Sequence, residues 1–303
     1  MDLSVYPLLY HCGFWAGLCF IVSTITGNVS QVDKLWSLTP ALYAWQIVFS
    51  SDTLQMRMVL MAVLATIWAA RLTYNFSRRG GYTWPPWEGE EDYRWPILRK
   101  TKPLNNPLVW MAFNLGFISI YQHFLLLLIV LPQFIAASAP GKDMITTLDL
   151  VLALAFLLLV LVEYIADQQQ YDFQTEKYRL KGTGLALYGE YKVGYLRTGL
   201  WSISRHPNYF AEQSIWVVYY LFSGAAGAGW LNASVIGPVL LILLFQGSVA
   251  FSEGISAGKY PEYIEYQQKV PIFIPTNPAL YRSFWNPTGD DYATAAAAAT
   301  EMK

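Results

Sequence analysis

The sequence predicts an all-α fold, a polytopic transmembrane bundle of about seven spans with short cytoplasmic helices near the C-terminus. Of its 303 residues, 54% are hydrophobic and only 14% are charged, whereas a soluble domain usually carries about a quarter of charged residues. The apolar residues fall in long runs. There is no G-x-G-x-x-G sequence and no alternation of strand and helix patterns, so the sequence gives no sign of a Rossmann fold.

Seven apolar runs approach the roughly 20 residues that a helix needs to cross the hydrocarbon core of a bilayer. They are Pro7–Gly27, Leu38–Ser50, Met56–Phe76, Pro107–Ile135, Thr146–Ala166, Glu212–Ser223 and Asn232–Phe251. The second and sixth runs are short, so they would have to tilt or include less apolar flanks. No basic residue precedes the first run, which therefore predicts a retained helix rather than a cleaved signal peptide.

The basic residues predict the orientation of the bundle. They concentrate between the third and fourth runs, between the fifth and sixth runs, and after the seventh run. With seven spans these three segments lie on one side of the membrane, which the positive-inside rule makes the cytoplasmic side. The C-terminus is then cytoplasmic and the N-terminus lies outside.

Charge and cysteine content exclude several classes of function. The net charge of −1 gives no indication of nucleic-acid binding. Cys12 and Cys19 lie within one apolar run and read as small buried hydrophobic residues. No cluster of cysteine and histidine occurs, so no metal site is predicted.

The helix of the fifth run continues past its apolar part into a polar stripe. Spacings of three and four residues place six side chains on one helical face: Glu163, Asp167, Gln170, Tyr171, Gln174 and Tyr178. An ionised carboxylate at the end of an apolar run is costly without a partner. Two interpretations remain open: a solvated face on a helix that leaves the membrane, or the lining of an internal cavity.

A second polar segment leads into the sixth run. Pro207 is well tolerated in a first helical turn and disfavours a helical conformation for the preceding residue, so a helix is predicted to begin there. Asn208 and Glu212 are then one turn apart on one face. Arg197 and Arg205 precede the helix start, an arrangement suited to binding phosphate, either of a ligand or of membrane lipids.

The stretch from Leu200 to Glu212, Leu-Trp-Ser-x-Ser-Arg-His-Pro-Asn-Tyr-Phe-x-Glu, resembles the C-terminal signature of the steroid 5-alpha-reductase superfamily. More narrowly, it resembles the branch of uncharacterised membrane proteins related to the 3-oxo-5-alpha-steroid 4-dehydrogenase C-terminal domain. Other segments agree with that branch, namely Val32–Ser37, Glu91–Trp95, Lys259–Gln267 and Phe273–Pro275. The resemblance covers roughly residues 30 to 276. Gln174 departs from it, because the steroid reductases have an arginine there.

The resemblance implies a seven-helix reductase of the endoplasmic reticulum that holds NADPH in a cytoplasm-facing cavity. It implies a single integral membrane domain over residues 1–276, with N-terminal spans in 1–140 and a cofactor-binding half in 141–276. Residues 277–303 are expected to form a C-terminal tail, which is alanine-rich over Ala293–Lys303. The residues expected to bind the cofactor are Glu163, Asp167, Arg197, Arg205, Asn208, Glu212 and Tyr263.

The corresponding hypothesis is the reduction of an activated carbon–carbon double bond, as in an enone, in a steroid or other lipid-like substrate. The enolate oxygen that develops needs a positioned donor, which a tyrosine hydroxyl hydrogen-bonded to a carboxylic acid would supply. Tyr74 and Tyr266 are the candidate tyrosines. Asp33 and Glu253 are the candidate acids.

Two other functions remain open. Relatives of the superfamily include lipid and isoprenylcysteine methyltransferases, which use S-adenosylmethionine and also carry an Arg-His-Pro-x-Tyr element. A non-catalytic sterol-binding or scaffold protein is the third possibility. Separately, Trp84-Pro85-Pro86-Trp87 is expected to form an interfacial anchor loop, because tryptophan prefers that depth, or else a lid over the cofactor.

Overall fold

The computed structural model describes residues 4–51, 53–141 and 144–274, and within these ranges all regular secondary structure is helical. This confirms the all-α prediction. The predicted tail 277–303 lies outside the described residues. The chain divides into two compact units. Unit 1 contains Met1–Leu158 and Ile215–Leu243, and unit 2 contains Leu159–Ser214 and the described part of Leu244–Lys303. The units therefore interleave along the chain; the single domain over 1–276, with halves 1–140 and 141–276, stays a prediction.

The α-helices are α1 (Tyr6–Thr26), α2 (Gln31–Trp36), α3 (Thr39–Phe49), α4 (Met56–Ser77), α5 (Arg94–Lys100), α6 (Pro107–Phe113), α7 (Gln122–Leu128), α8 (Leu131–Ala137), α9 (Thr147–Gly182), α10 (Gly189–Val193), α11 (Pro207–Ser223), α12 (Ile236–Lys259) and α13 (Tyr263–Lys269). The short π and 3-10 segments are Asn114–Tyr121, Gly199–Ser202, Gly224–Ala228 and Ala233–Val235.

Five helical stretches of the described chain are long and apolar enough to cross a membrane. They are Tyr6–Thr26, Met56–Ser77, Pro107–Ala137, Thr147–Gly182 and Ala233–Lys259. The protein is thus a multi-pass membrane protein by the length and composition of its helices. The two short predicted runs form α3, of 11 residues, and α11, of 17 residues. Seven spans and their orientation remain predictions.

Local sequence signals set several helix boundaries. Helix α1 has a proline in its first turn and ends at Gly27, whose φ of 72° is the left-handed conformation that glycine adopts most readily. The side chain of Asn106 caps α6 by accepting a hydrogen bond from the Leu108 amide at 2.9 Å. Helix α11 begins at Pro207, as the sequence predicts.

Buried polar side chains connect the helices of unit 1. The Gln133 amide donates to the carbonyl oxygens of Ala44 and Met58, at 3.0 Å each, and accepts a hydrogen bond from the Tyr219 hydroxyl at 2.7 Å. Arg57 and Asp149 form a fully buried ion pair with two contacts of 2.8 Å. Every one of these groups has a partner, as burial away from water requires.

In unit 2 the segment of residues 194–206 lies along the last turns of α9. The Leu200 amide donates to the Gln169 side chain at 3.0 Å, and the Trp201 indole donates to the Ala166 carbonyl at 3.2 Å. Gly199, with a φ of 61°, lies so close to Gln169 that a Cβ atom would be 2.5 Å from the amide nitrogen. Lys177 donates to the Gly194 carbonyl further along α9. These contacts position the candidate site.

Candidate functional site

The Arg205 guanidinium forms a closed network at the start of α11. It contacts both oxygens of the Glu253 carboxylate, at 2.7 and 3.2 Å, and donates to the carbonyls of Gln267 and Val270. His206 and Gln267 contribute further side-chain contacts to Glu253, at 2.9 and 2.8 Å. An arginine has five N–H donors, and Arg205 donates four hydrogen bonds within this network.

The closed network gives Arg205 and Glu253 a structural task. The Arg205 and His206 amides also donate to the Pro271 and Ile272 carbonyls, at 2.9 and 3.1 Å. The chain after α13 is therefore fixed to the start of α11 by both backbone and guanidinium. Sequence analysis assigns Arg205 to the cofactor and Glu253 to catalysis; the structure shows the two groups hydrogen-bonded to each other, and the assignments stay predictions.

Asp167 and Asn208 form a second polar cluster, which is open. The Asn208 amide nitrogen donates to the Asp167 carboxylate at 3.2 Å. Asp167 is only 2% exposed. The carbonyl oxygen of the Asn208 side chain is also buried, yet it accepts no hydrogen bond from any described residue. A buried acceptor without a donor is rare in folded proteins and indicates a group that a ligand or water completes.

The other predicted cofactor residues of this region differ in exposure. Glu163 and Glu212 are buried. Arg197 is exposed on the segment alongside α9, where its charge acts on Tyr195 and Glu265. Of the two arginines that sequence analysis assigns to phosphate, Arg197 is thus the one whose guanidinium remains accessible.

Four tyrosines cluster where α13 meets the segment before α11. The Tyr195 ring lies 5.0 Å from Tyr263, 5.4 Å from Tyr266 and 5.9 Å from Tyr260 between centroids. The Tyr266 hydroxyl donates to the Trp201 carbonyl. Burial, reinforced by the neighbouring Tyr263, raises the pKa of Tyr266 well above its usual value. Tyr263 and Tyr266 are thus packed within the aromatic cluster, and their predicted roles at the cofactor site and in catalysis stay predictions.

Lys177 and Tyr260 form a pair that the sequence analysis misses. The buried Lys177 ammonium lies 3.0 Å from the Tyr260 hydroxyl, and Tyr260 itself is only partly buried. Burial of the ring opposes ionisation, but the hydrogen bond from Lys177 and the charges of Lys177 and Lys259 outweigh it, so the pKa of Tyr260 falls below its usual value. The available signal was the position of Lys177 on the buried face of α9, between Phe173 and Leu180.

Asp33, a candidate catalytic acid, and Tyr74, a candidate catalytic tyrosine, both lie in unit 1. The Asp33 carboxylate accepts a hydrogen bond from the Trp95 indole at 3.0 Å. Burial, and then the charge of Asp92, raise the pKa of Asp33. Tyr74 is half exposed, with the Arg78 guanidinium 5.2 Å from its ring centroid. The hydrogen bond from Trp95 to Asp33 brings together Val32–Ser37 and Glu91–Trp95, which are two of the four further segments that agree with the resemblance.

Two apolar hollows occur in unit 1. One, of about 170 Å³, is lined by residues of α1, α3, α7 and α8, including Leu8, Ile47 and Leu131. The other, of about 410 Å³, lies against Gly13 and Gly17 of α1 and faces Phe124. Neither hollow is lined by a predicted site residue.

Comparison with known proteins gives a family and no solved relative. A family model described as Protein of unknown function (DUF1295) matches residues 19–270, a range that contains all the predicted site residues. The Uncharacterized protein C594.04c of Schizosaccharomyces pombe is 36% identical over 283 residues, which cover 89% of this chain and 78% of that protein. No solved structure matches the chain.

Proposed function

The chain belongs to the family described as Protein of unknown function (DUF1295), and we propose that it is a membrane-embedded, NADPH-dependent reductase. Its substrate would be a carbon–carbon double bond in a steroid or another lipid-like molecule. The resemblance of Leu200–Glu212 to the steroid 5-alpha-reductase signature suggests this chemistry. It also suggests the endoplasmic reticulum membrane, with the cofactor side and the C-terminus in the cytoplasm.

The open cluster of Asp167 and Asn208 carries the proposal. The buried Asn208 carbonyl oxygen lacks a donor within the described chain, and the Asp167 carboxylate lies beside it. Ribose hydroxyls and a nicotinamide carboxamide are donors of the kind that these acceptors require. The exposed Arg197 guanidinium suits a phosphate group. These residues fit a phosphorylated nucleotide cofactor.

The length of the region also fits an elongated ligand. At the rise of an α-helix, Asp167 and Lys177 are roughly 15 Å apart along α9. The segment 194–206 lies beside this stretch of helix. A dinucleotide is long enough to contact both ends. The Arg205 network would then fix the start of α11, which carries Asn208, without binding the cofactor.

NADPH, when bound, supplies the hydride that the β-carbon of an enone accepts. The protein must then stabilise the charge that develops on the enone oxygen and provide a proton. Among the tyrosines considered, Tyr260 is the best suited, because its hydroxyl is partly exposed and lies beside the Lys177 ammonium. Tyr266 donates to a backbone carbonyl instead. Asp33 and Tyr74 lie in unit 1, where Asp33 bonds to Trp95.

The tyrosine cluster favours a second candidate, an S-adenosylmethionine-dependent lipid methyltransferase. Aromatic faces attract cations, and the sulfonium of S-adenosylmethionine is one. Lys177 and Lys259, however, already lie within 5.5 Å of the Tyr260 ring centroid. Tyr263 and Tyr266 are buried inside the cluster, so their rings offer little surface to a bound cation. The reductase is therefore the first proposal.

Isothermal titration of the full chain in lipid nanodiscs with NADPH and with S-adenosylmethionine tests both proposals. We expect NADPH to bind, and Asn208→Ala and Arg197→Ala each to weaken binding about tenfold, a loss of the size that one removed hydrogen bond produces. Arg179→Ala is the matched control, because Arg179 pairs with Glu176 on the exposed face of α9. Binding of S-adenosylmethionine alone would favour the methyltransferase, and binding of neither would favour a scaffold or sterol-binding protein.

A further inference from the structure

Residues 82–89 of unit 1 form a loop whose backbone carbonyls are bound by several side chains; we call it the tryptophan loop. Three side chains spaced by three residues bind its backbone carbonyls. Asn28 donates to Gly89 at 3.0 Å, Gln31 donates to Trp87 at 2.8 Å, and Lys34 donates to Pro86 at 2.9 Å and also to Glu88. Four successive carbonyls, from residue 86 to residue 89, are thereby bound by side chains from one short segment.

Lys34 is the central member of this arrangement. Its side chain is buried, and burial lowers its pKa. All three hydrogen bonds of its ammonium go to uncharged oxygens, those of Pro86, Glu88 and the Gln31 side chain. Burying an ammonium is costly unless its protons are satisfied. The loop backbone satisfies them, so the loop and the α2 region stabilise each other.

The firmly held loop presents apolar rings outward. Trp84 is 90% exposed and Trp87 is 51% exposed, with Pro85 and Pro86 between them. At the start of the loop, the Tyr82 hydroxyl donates to the Lys34 carbonyl at 2.7 Å. Tryptophan is among the residues most enriched at interaction surfaces, so these two exposed rings mark a candidate surface.

The position of the loop in the chain identifies its partner. The loop follows the candidate span Met56–Ser77 and precedes the candidate span Pro107–Ala137. Both ends of the connecting segment therefore meet the same face of the membrane. Tryptophan is enriched at that depth, where an apolar ring and an indole N–H can both be satisfied. Arg78 and Arg79, directly after the first of these spans, suit lipid phosphates.

We propose that the tryptophan loop is a rigid lipid-binding element. The rings of Trp84 and Trp87 insert at the headgroup level of a phospholipid bilayer, and Lys34, with Asn28 and Gln31, holds the backbone that presents them. The bilayer is thus the partner of this surface, independently of what the cofactor site of unit 2 binds.

Photocrosslinking tests the partner. The full chain carries benzoylphenylalanine in place of Trp84 and is irradiated in nanodiscs of phosphatidylcholine and phosphatidylserine. We expect a phospholipid adduct in the mass spectrum. The same probe at Leu154, exposed in the apolar part of α9, is the positive control, and the probe at the buried Trp95 is the negative control. A Trp84 probe that reacts only with its own chain, as a lid would, or gives no lipid adduct while Leu154 does, overturns the proposal.

The holding role of Lys34 has a separate measurement. Lys34→Met keeps the length of the side chain but removes its donors. We expect amide hydrogen exchange at Glu88 and Glu90, whose amides donate to the Pro85 and Gly80 carbonyls, to become roughly tenfold faster, and the lipid adduct at residue 84 to decrease. Unchanged exchange and unchanged adduct would refute this role. Should Lys34→Met fail to fold, Gln31→Leu, which removes the donor to the Trp87 carbonyl, gives the same comparison on a smaller scale.

Discussion

The two polar clusters of unit 2 differ in how completely their hydrogen bonds are satisfied. Around Arg205, the guanidinium, the Glu253 carboxylate, His206 and Gln267 satisfy one another and two backbone carbonyls. In the second cluster, the Asn208 side-chain nitrogen donates a hydrogen bond to Asp167, while the buried carbonyl oxygen of the same side chain has no donor within the described chain. Residue types alone would assign both clusters to ligand binding. Completeness of hydrogen bonding separates a structural cluster from one that a ligand can complete.

The largest expected effect tests the structural cluster. Glu253→Ala leaves the buried Arg205 guanidinium without its carboxylate, so we expect a loss of about 3–5 kcal/mol in the free energy of unfolding, measured by thermal or denaturant unfolding in detergent. Glu265→Ala is the control, because Glu265 pairs with Lys269 at the exposed surface, where ion pairs contribute little. A Glu253 variant as stable as the parent protein would mean that the cluster is not structural.

A smaller effect on stability, with a larger one on binding, is expected in the open cluster. Asp167→Ala removes the acceptor of the Asn208 amide, so we expect a loss of about 1 kcal/mol in stability. The Kd for NADPH should rise about tenfold in isothermal titration, because the acceptor set for ribose hydroxyls is reduced. A large loss of stability with unchanged affinity for NADPH would mean that Asp167, like Glu253, supports the fold and does not bind the cofactor.

The smallest expected effect concerns Tyr260. Its pKa is below the usual value in the folded protein, so its phenolate adds stability at alkaline pH, and that contribution is lost as the pH falls through the folded pKa. We expect the phenolate absorbance in the difference between the parent protein and Tyr260→Phe to titrate at a lower pH than a free tyrosine. Lys177→Met should move this titration upward. A titration unaffected by Lys177→Met would remove the basis for Tyr260 as the proposed donor.

Much of the fold followed from the sequence because it depends on local patterns. Long apolar runs predicted the candidate spans, and Pro207 predicted the start of α11, since a proline restricts its own backbone and that of its neighbour. The polar stripe on α9 was predicted in part. Glu163 and Asp167 are buried, whereas Tyr178 is exposed and Lys177 faces inward instead. Helical periodicity over four turns predicts which face of α9 is buried only approximately, because tertiary packing decides which face is buried.

The division of roles within the site did not follow from the sequence. Arg205 and Asn208 are three residues apart in one motif and are both polar, yet their partners come from Glu253 and the chain near Val270 in one case and from Asp167 in the other. Such partners are distant in the sequence, and no periodicity relates them. The Lys177–Tyr260 pair and the hydrogen bonds from Lys34 to the tryptophan loop were inaccessible to sequence analysis for the same reason.

The sequence by itself determined that this protein is helical, rich in membrane-spanning segments and equipped with polar groups beside apolar runs, because hydrophobicity, helical periodicity and proline act over a few residues. Only the tertiary structure decided which of those polar groups are already satisfied and which remain open, because a hydrogen bond requires two groups to approach within about 3 Å, and that approach depends on how distant segments pack.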